Sequence, residues 1–387
     1  MLSRRSQFSF EENAFAHALR RARAAGRPLL DLTWSNPTEV DLPLETDALR
    51  DALGRAAAAP YAPEPFGLET ARAAVAQELT SLGTPTRTEQ VLLTSSTSEA
   101  YTHLLRLFAD AGQRVWAPRP CYPLLEHLAQ MADVELVRTD LAYDGAWHYP
   151  ALPSSLTADL RALFLVNPNN PTGNFIDDVA LDALSSLGLP LVLDEVFAQF
   201  PLHGDVPSPT QALRSRAPLT VSLGGLSKMV GLPQLKLGWM VLHGDAQSCE
   251  QARTRLEVML DAFLSVGSPV QVALADIFAL GRKRREAILE RCQQNYETLT
   301  GAVGGSSVSV LPAQAGWYAI LQVPAVTDHD WALALLDGWD VVVQPGWLYD
   351  FPRPNHLVVS LLTRSPELKR GIERVIEAAG EPSMSFG

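Results

Sequence analysis

Ala162-Leu163-Phe164-Leu165-Val166 runs straight into Asn167-Pro168-Asn169-Asn170-Pro171-Thr172-Gly173. The first five residues are apolar and too few for a helix, so they read as a strand buried on both faces. The seven that follow form a stiff turn. A turn at the carboxyl end of such a strand is where α/β sheets place ligands. Asn-Pro turns also occur as plain structural loops, so this stretch decides the fold before it decides the function.

Outward from it the chain alternates. Residues 91–93, 114–117, 134–137 and 189–193 are further short strand-like runs, and 98–109 and 123–131 read as helices between them. That alternation predicts an α/β fold whose large domain has a mostly parallel sheet flanked by helices. Upstream, Ser9-Phe10-Glu11-Glu12 fits a capping box opening a helix to Ala25, which Gly26 and Pro28 stop. Residues 29–33 read as a short strand entering the turn Trp34-Ser35-Asn36-Pro37, and 69–82 as a helix ended by Gly83.

Downstream, 246–264 and 270–299 read as long helices joining two domains, and strand-like 316–323, 341–343 and 357–361 as a smaller α+β unit. A chain of 387 residues exceeds what one core usually supports, roughly 250–300 residues. The expected division is an N-terminal segment 1–45 packing with the small domain, a large domain 46–280 and a small C-terminal domain 281–387. Neither internal repeats nor low-complexity segments interrupt it.

Composition narrows the function. The formal charge of −12 argues against nucleic acid, whose phosphates require a basic face. Cys121, Cys249 and Cys292 are far apart and show neither metal spacing nor a disulfide framework, so no metal site is expected. The N-terminus turns polar and acidic soon after Arg4 and Arg5, and no stretch is apolar enough to span a bilayer. A soluble, cytoplasmic protein without a membrane partner is the expectation.

Two more stretches carry chemistry. Leu191-Val192-Leu193-Asp194-Glu195-Val196-Phe197 ends an apolar strand on two adjacent acids, and a buried carboxylate there needs a cationic partner, such as a protonated pyridine nitrogen. The alternative for Asp194 is a helix N-cap. Ser222-Leu223-Gly224-Gly225-Leu226-Ser227-Lys228 puts a lysine in a Gly/Ser-rich turn, where backbone can approach a phosphate and the amine can be desolvated for Schiff-base work. A lone loop lysine is more often a solvated surface charge.

In order and spacing, the three stretches resemble the aspartate-aminotransferase family of pyridoxal 5'-phosphate enzymes, the class I/II aminotransferases of fold type I, over nearly the whole chain. The resemblance implies the cofactor pyridoxal 5'-phosphate, with Lys228 as its Schiff-base lysine, Asp194 as the partner of the pyridine nitrogen and Asn170 on the phenolic oxygen. Thr94-Ser95-Ser96-Thr97 is similar to the family's phosphate-binding turn, so Ser95, Ser96 and Thr97 join the cofactor site. Tyr122, in Pro120-Cys121-Tyr122-Pro123, resembles the ring that stacks on the pyridine. Tyr61 resembles the tyrosine that reaches a neighbouring subunit's phosphate, which implies a homodimer with shared active sites. Core packing is the alternative for both tyrosines, and helix capping that for Thr97, and the combined pattern outweighs them.

The chain also departs from the pattern. Phe197 stands where tyrosine is usual, removing one hydrogen bond to the phenolic oxygen. Gly225 replaces a phosphate-binding serine, with Ser222 or Ser227 as substitutes, and Lys236 replaces the phosphate arginine, keeping charge but losing the planar fork. Val358, in His356-Leu357-Val358-Val359-Ser360-Leu361, occupies the place of the arginine that grips a substrate's α-carboxylate. Either another cation serves, Arg353 and Arg364 being nearby, or the substrate lacks that carboxylate. Trp317 and the aromatics of Pro345-Gly346-Trp347-Leu348-Tyr349-Asp350-Phe351 could favour an apolar or aromatic substrate, or simply fill the small domain.

The implied activity is transfer of an amino group between an amine or amino-acid donor and an oxo-acid acceptor. Within the same chemistry, a lyase, decarboxylase or cyclising enzyme is the rival. A non-catalytic cofactor-binding sensor is disfavoured, because nothing before residue 30 is long enough for a DNA-binding domain. A nicotinamide-dependent oxidoreductase is weaker still, since no GxGxxG follows the early strands.

Overall fold

The computed structural model describes residues 2–8, 12–57, 60–152, 159–204, 210–324, 328–351 and 355–380. Its strands in chain order are β1 (Leu30–Asp31), β2 (Val91–Thr94), β3 (Arg114–Arg119), β4 (Glu135–Asp140), β5 (Ala142–Tyr143), β6 (Trp147–His148), β7 (Leu160–Val166) and β8 (Leu191–Asp194). They continue with β9 (Leu219–Gly225), β10 (Gly238–Gly244), β11 (Ser309–Val310), β12 (Tyr318–Gln322), β13 (Val341–Val342), β14 (Gln344–Pro345) and β15 (His356–Ser360).

Seven strands build the main sheet in the order β2-β10-β9-β8-β7-β3-β4. Strands β9, β8, β7, β3 and β4 pair in parallel, and β10 is antiparallel to both neighbours. The expected mostly parallel sheet is therefore present. Its central strands are apolar without alternation because both faces are covered. Phe164, Val192, Val221 and Met240 meet Tyr101, Leu104 and Leu256 on one side, while Leu163, Leu165 and Leu193 meet Trp116, Ile176 and Leu181 on the other. Each such side chain contributes roughly 1.5–3 kcal/mol when fully buried.

The second sheet is antiparallel, in the order β11-β12-β15-β14, and β1 pairs in parallel with β13 through Leu30 and Val341. The helix Leu274–Ala302, 29 residues long, bridges two cores. Ile277 and Phe278 near its start pack with Trp239 and Val241, and Ile288, Cys292 and Leu299 near its end pack with Leu32, Trp331, Val359 and Ile372.

Several boundaries differ from expectation for local reasons. Residues 9–11 of the proposed capping box lie outside the described residues, and Asn13 caps the helix Ala14–Ala24 by accepting the N–H of Ala16 at 2.8 Å. The stretch expected as helix over 270–299 is two helices, Ser268–Val272 and Leu274–Ala302, the first having a proline in its opening turn. Helices Thr46–Ala56, Asp178–Ser185, Asp328–Trp339 and Ser365–Gly380 had no counterpart in the sequence reading. Among the described residues, no helix is long and apolar enough to cross a membrane.

Candidate active site

The parallel strands carry one functional segment each to the same edge of the sheet. Register explains why they meet: Asp194, the last residue of β8, pairs with Val166 at the end of β7 and with Leu223 near the end of β9. Gly238, opening the antiparallel β10, pairs with both Thr94 and Gly225. Turns after β2, β3, β7 and β9 thus open beside the residues before β10.

Between them lies a cavity of about 310 Å³, lined by Ser96, Thr97, Tyr122, Asn170, Asp194, Ser227, Lys228 and Lys236 among others. Eight of the expected site residues therefore share one wall, in a volume within the range of small-molecule sites, about 300–1,000 Å³. Ser95 is adjacent to the lining, its backbone N–H donated to the carboxylate of Glu99. Tyr61 does not reach the cavity; it is 74% exposed and borders a separate recess with Leu264, Ser265 and Gln271.

Strand alternation divides the two adjacent acids. Asp194 faces the cavity and is buried, whereas Glu195 points away and accepts a hydrogen bond from the Thr210 hydroxyl. Burial pushes the Asp194 carboxyl up to about 6, against the N–H of Val196 at 3.2 Å, the Tyr101 hydroxyl at 3.0 Å and the charge of Lys228, which all favour its ionised form. Glu195 is likewise pushed up by burial, to about 7.

Lys228 sits in the helical turn Leu226–Met229 directly after β9. Desolvation lowers its amine to about 8, with Asp194 opposing that shift. Its Nζ stands 4.7 Å from the ring centroid of Trp317 and 5.4 Å from that of Phe197, so two aromatic faces flank the amine. The surface-charge alternative for this lysine does not hold.

The end of the cavity expected to take a phosphate is built from backbone. Ser96 caps the helix Thr97–Phe108, its Oγ accepting the N–H of Glu99 at 3.1 Å, and the positive end of that helix opens on the cavity. A Cβ on Gly238 would lie 3.1 Å from Ser96 C and 3.2 Å from Thr97 N, so the glycine allows β10 to start close against the turn. Lys236 is exposed, has φ +50° and forms no ion pair among the described residues. Of the two candidate replacement serines, Ser227 lines the cavity, whereas Ser222 is buried against His243 Nε2 at 3.1 Å.

The Asn-Pro turn divides its asparagines between internal bonding and the cavity. Asn167 bonds Gln211 and Ile176, and Asn169 donates to the Pro120 carbonyl at 3.0 Å and to Thr172 at 2.7 Å. Asn170 lines the cavity, and its amide oxygen is buried without a partner among the described residues. The Asn170 amide in the lining, the buried carboxylate that can accept a ring N–H, the desolvated amine and the helix N-terminus that can donate to a phosphate match the groups of pyridoxal phosphate, so the residues fit the cofactor.

Sequence reasoning missed Tyr101, Ser98 and Tyr318. Tyr101 lies one helical turn after Thr97, and the i, i+4 spacing is the signal that could have found it. The Ser98 hydroxyl is 3.4 Å from the Tyr122 hydroxyl, and Tyr318 lines the cavity from the small sheet. At the carboxylate position Val358 is fully buried, paired with Ile320 and Gln344. Arg364 is turned away onto Asp41 at 2.6 Å and Glu367 at 3.6 Å, and Arg353 lies outside the described residues.

The chain is similar to known proteins over most of its length. The family described as aminotransferase class I and II matches residues 44–375. Glutamate-pyruvate aminotransferase AlaA of Haemophilus influenzae is 25% identical over 371 residues, 92% of this chain and 91% of that protein. Tyrosine aminotransferase of Mus musculus is 27% identical over 227 residues, 56% of this chain and 50% of that protein. Among solved structures, an aminotransferase from Escherichia coli superposes with a TM-score of 0.84 at 20% identity, covering 98% of both chains. A Thermus thermophilus aspartate aminotransferase mutant gives 0.82 at 21% identity, over 97% of this chain and 99% of that one.

Proposed function

The chain belongs to the class I and II aminotransferases, enzymes that transfer amino groups with pyridoxal phosphate, and from that premise we propose that Lys228 is the residue that holds the cofactor covalently. The observation that carries this reading is the Lys228 amine, desolvated and sharing with Asp194 the cavity that Ser96, Thr97, Tyr122, Asn170, Ser227 and Lys236 also line. Asp194 would hold the proton of the pyridine nitrogen, with Tyr101 and the Val196 N–H fixing the carboxylate. Asn170 would meet the phenolic oxygen, and Tyr122, held beside Ser98, would stack on the ring. Ser96, Thr97, Ser227 and Lys236 would hold the phosphate, with Ser95 supporting that turn.

The cofactor, when bound, supplies an electron sink for the charge left on a substrate carbon that loses a proton. The chain supplies the base. With its amine lowered to about 8, Lys228 is partly neutral near physiological pH and can take the proton from the substrate's amino carbon. Phe197 and Trp317 then face the ammonium group so formed. Amino-acid and oxo-acid substrates follow from the family, and the names of the glutamate-pyruvate and tyrosine relatives suggest which donors to try first.

A homodimer with shared active sites, in which Tyr61 reaches the partner's phosphate, is part of the same proposal. It draws support from the exposure of Tyr61 and of Val258, Phe263 and Val272. We also propose a cytoplasmic location and the division into 1–45, 46–280 and 281–387. The joint packing of Phe15, Leu30 and Leu32 with Trp331 and Val359 supports the first and last of those segments lying together.

Replacing Lys228 by Ala tests the reading. Turnover of an amino acid with an oxo acid should fall by at least about a thousandfold, a size expected for loss of a covalent nucleophile that is also the base. Near-normal turnover would place the chemistry elsewhere.

A further inference from the structure

Trp317 is fully buried, yet its ring faces the Lys228 amine at 4.7 Å. It does not stand there loosely. Its backbone carbonyl accepts the N–H of Leu361 at 2.8 Å, and Gly316 before it donates to the Phe200 carbonyl at 2.8 Å. Gln314 and Ala315 both donate to the carbonyl of Gly173 at 2.9 Å, which ties the segment to the Asn-Pro turn of the large sheet. The ring itself is wedged edge-on between Phe197, at 5.5 Å, and Phe200, at 5.2 Å. Such fixing leaves the indole face presented to Lys228 rather than free to follow it.

We propose that Trp317 is a positioning residue for Lys228, its indole face holding the charged form of the amine by cation–π attraction. The proposal rests on Lys228 being the cofactor lysine. Distances within about 6 Å of a ring centroid are those at which an ammonium is attracted, and Trp is the strongest of the aromatic partners. Phe197 offers a second, weaker face at 5.4 Å. The charged and titratable groups facing the amine are Asp194 from β8, Tyr122 and Tyr318 across the cavity, and Lys236 at its phosphate end.

The test uses the full-length chain stripped of cofactor and mixed with pyridoxal phosphate over a range of pH. The rate at which the visible band of the bound cofactor grows reports the neutral fraction of the capturing amine. Wild type, Trp317→Phe and Trp317→Leu are compared, and the captured cofactor is fixed with borohydride and mapped. In wild type the midpoint is expected at about 8. If the indole holds the charge, Trp317→Leu lowers the midpoint by about 0.5–1 unit and Trp317→Phe by less, in the same direction. If Trp317 only excludes water, its removal hydrates the amine and the midpoint stays or climbs toward the ordinary lysine value, which overturns the proposal. Should the leucine variant fail to fold, the phenylalanine variant alone decides by the sign of its shift. Cofactor mapped to a residue other than Lys228 would instead overturn the assignment of the site, and this inference with it.

Discussion

At the scale of single residues, the site is held in a costly state of charge. The Asp194 carboxyl is raised from 3.8 to about 6, so the stability it contributes is present below its ordinary value and lost as pH rises through 6. The Lys228 amine is lowered from 10.5 to about 8, so its contribution is present above the ordinary value and lost as pH falls through 8. Between about 6 and 8 the cofactor-free chain therefore carries two poorly solvated charges. Asp194→Asn removes one of them. Its cofactor-free form at pH 7 is expected to be more stable than wild type by about 1–3 kcal/mol in a denaturant titration, while kcat/KM falls by at least about a hundredfold. A variant that is less stable and equally active would mean that Asp194 is ordinary core structure. The distribution of roles here was only half legible beforehand. Asp194 could be read as buried because it ends an apolar strand, but Tyr101, which bonds it, could be placed near the site only by its spacing from Thr97, and nothing local to its helix names Asp194, 93 residues away, as its partner.

At the scale of elements, the turn Asn167–Gly173 holds the segment around Ala315 as well as one side of the cavity. Gly173 has φ +71°, and a Cβ there would lie 2.6 Å from the Ala315 carbonyl and 2.7 Å from Ala313. Gly173→Ala is thus expected to cost more than about 1 kcal/mol of stability in thermal or urea unfolding. An unchanged midpoint would show that the segment around Ala315 is free to move away. The turn reads in sequence through its asparagines and prolines, whereas the need for Gly173 does not, because Ala313 and Ala315 are distant in the chain and close in space. Strands β7, β8 and β9 were legible because burial on both faces leaves short, wholly apolar runs. The helix Thr46–Ala56 was not, since no capping signal opens it; Ser365–Gly380 carried its signal in Pro366 near its start and in Leu368, Ile372 and Val375 at helical spacing, and its absence from the reading has no physical cause. Val358 is a departure the sequence announced, and the structure gives it an ordinary role as a buried strand residue.

At the scale of the whole molecule, one arginine ties the segment 37–43 and the long helix Leu274–Ala302 to the loop at Gly231. Arg284 is 2% exposed and meets carbonyls rather than an acid, donating to Gly231 at 3.2 Å, to Leu42 and Pro43 at 3.0 and 2.9 Å, and to Pro37 at 2.5 Å. Desolvation lowers its guanidinium below the ordinary value. Arg284→Ala would leave those carbonyls unpaired and is expected to destabilise the chain by about 3 kcal/mol; a loss below about 0.5 kcal/mol would mean that water replaces it freely. The same loop leads back to Lys228, on which the whole account turns. Its most direct test is to load the full-length protein with pyridoxal phosphate, reduce it with borohydride and map the modified peptide. The account predicts one cofactor per chain, attached to Lys228, and none retained after reduction of Lys228→Ala. Stoichiometric cofactor on another lysine, or none on the wild-type chain, would contradict it.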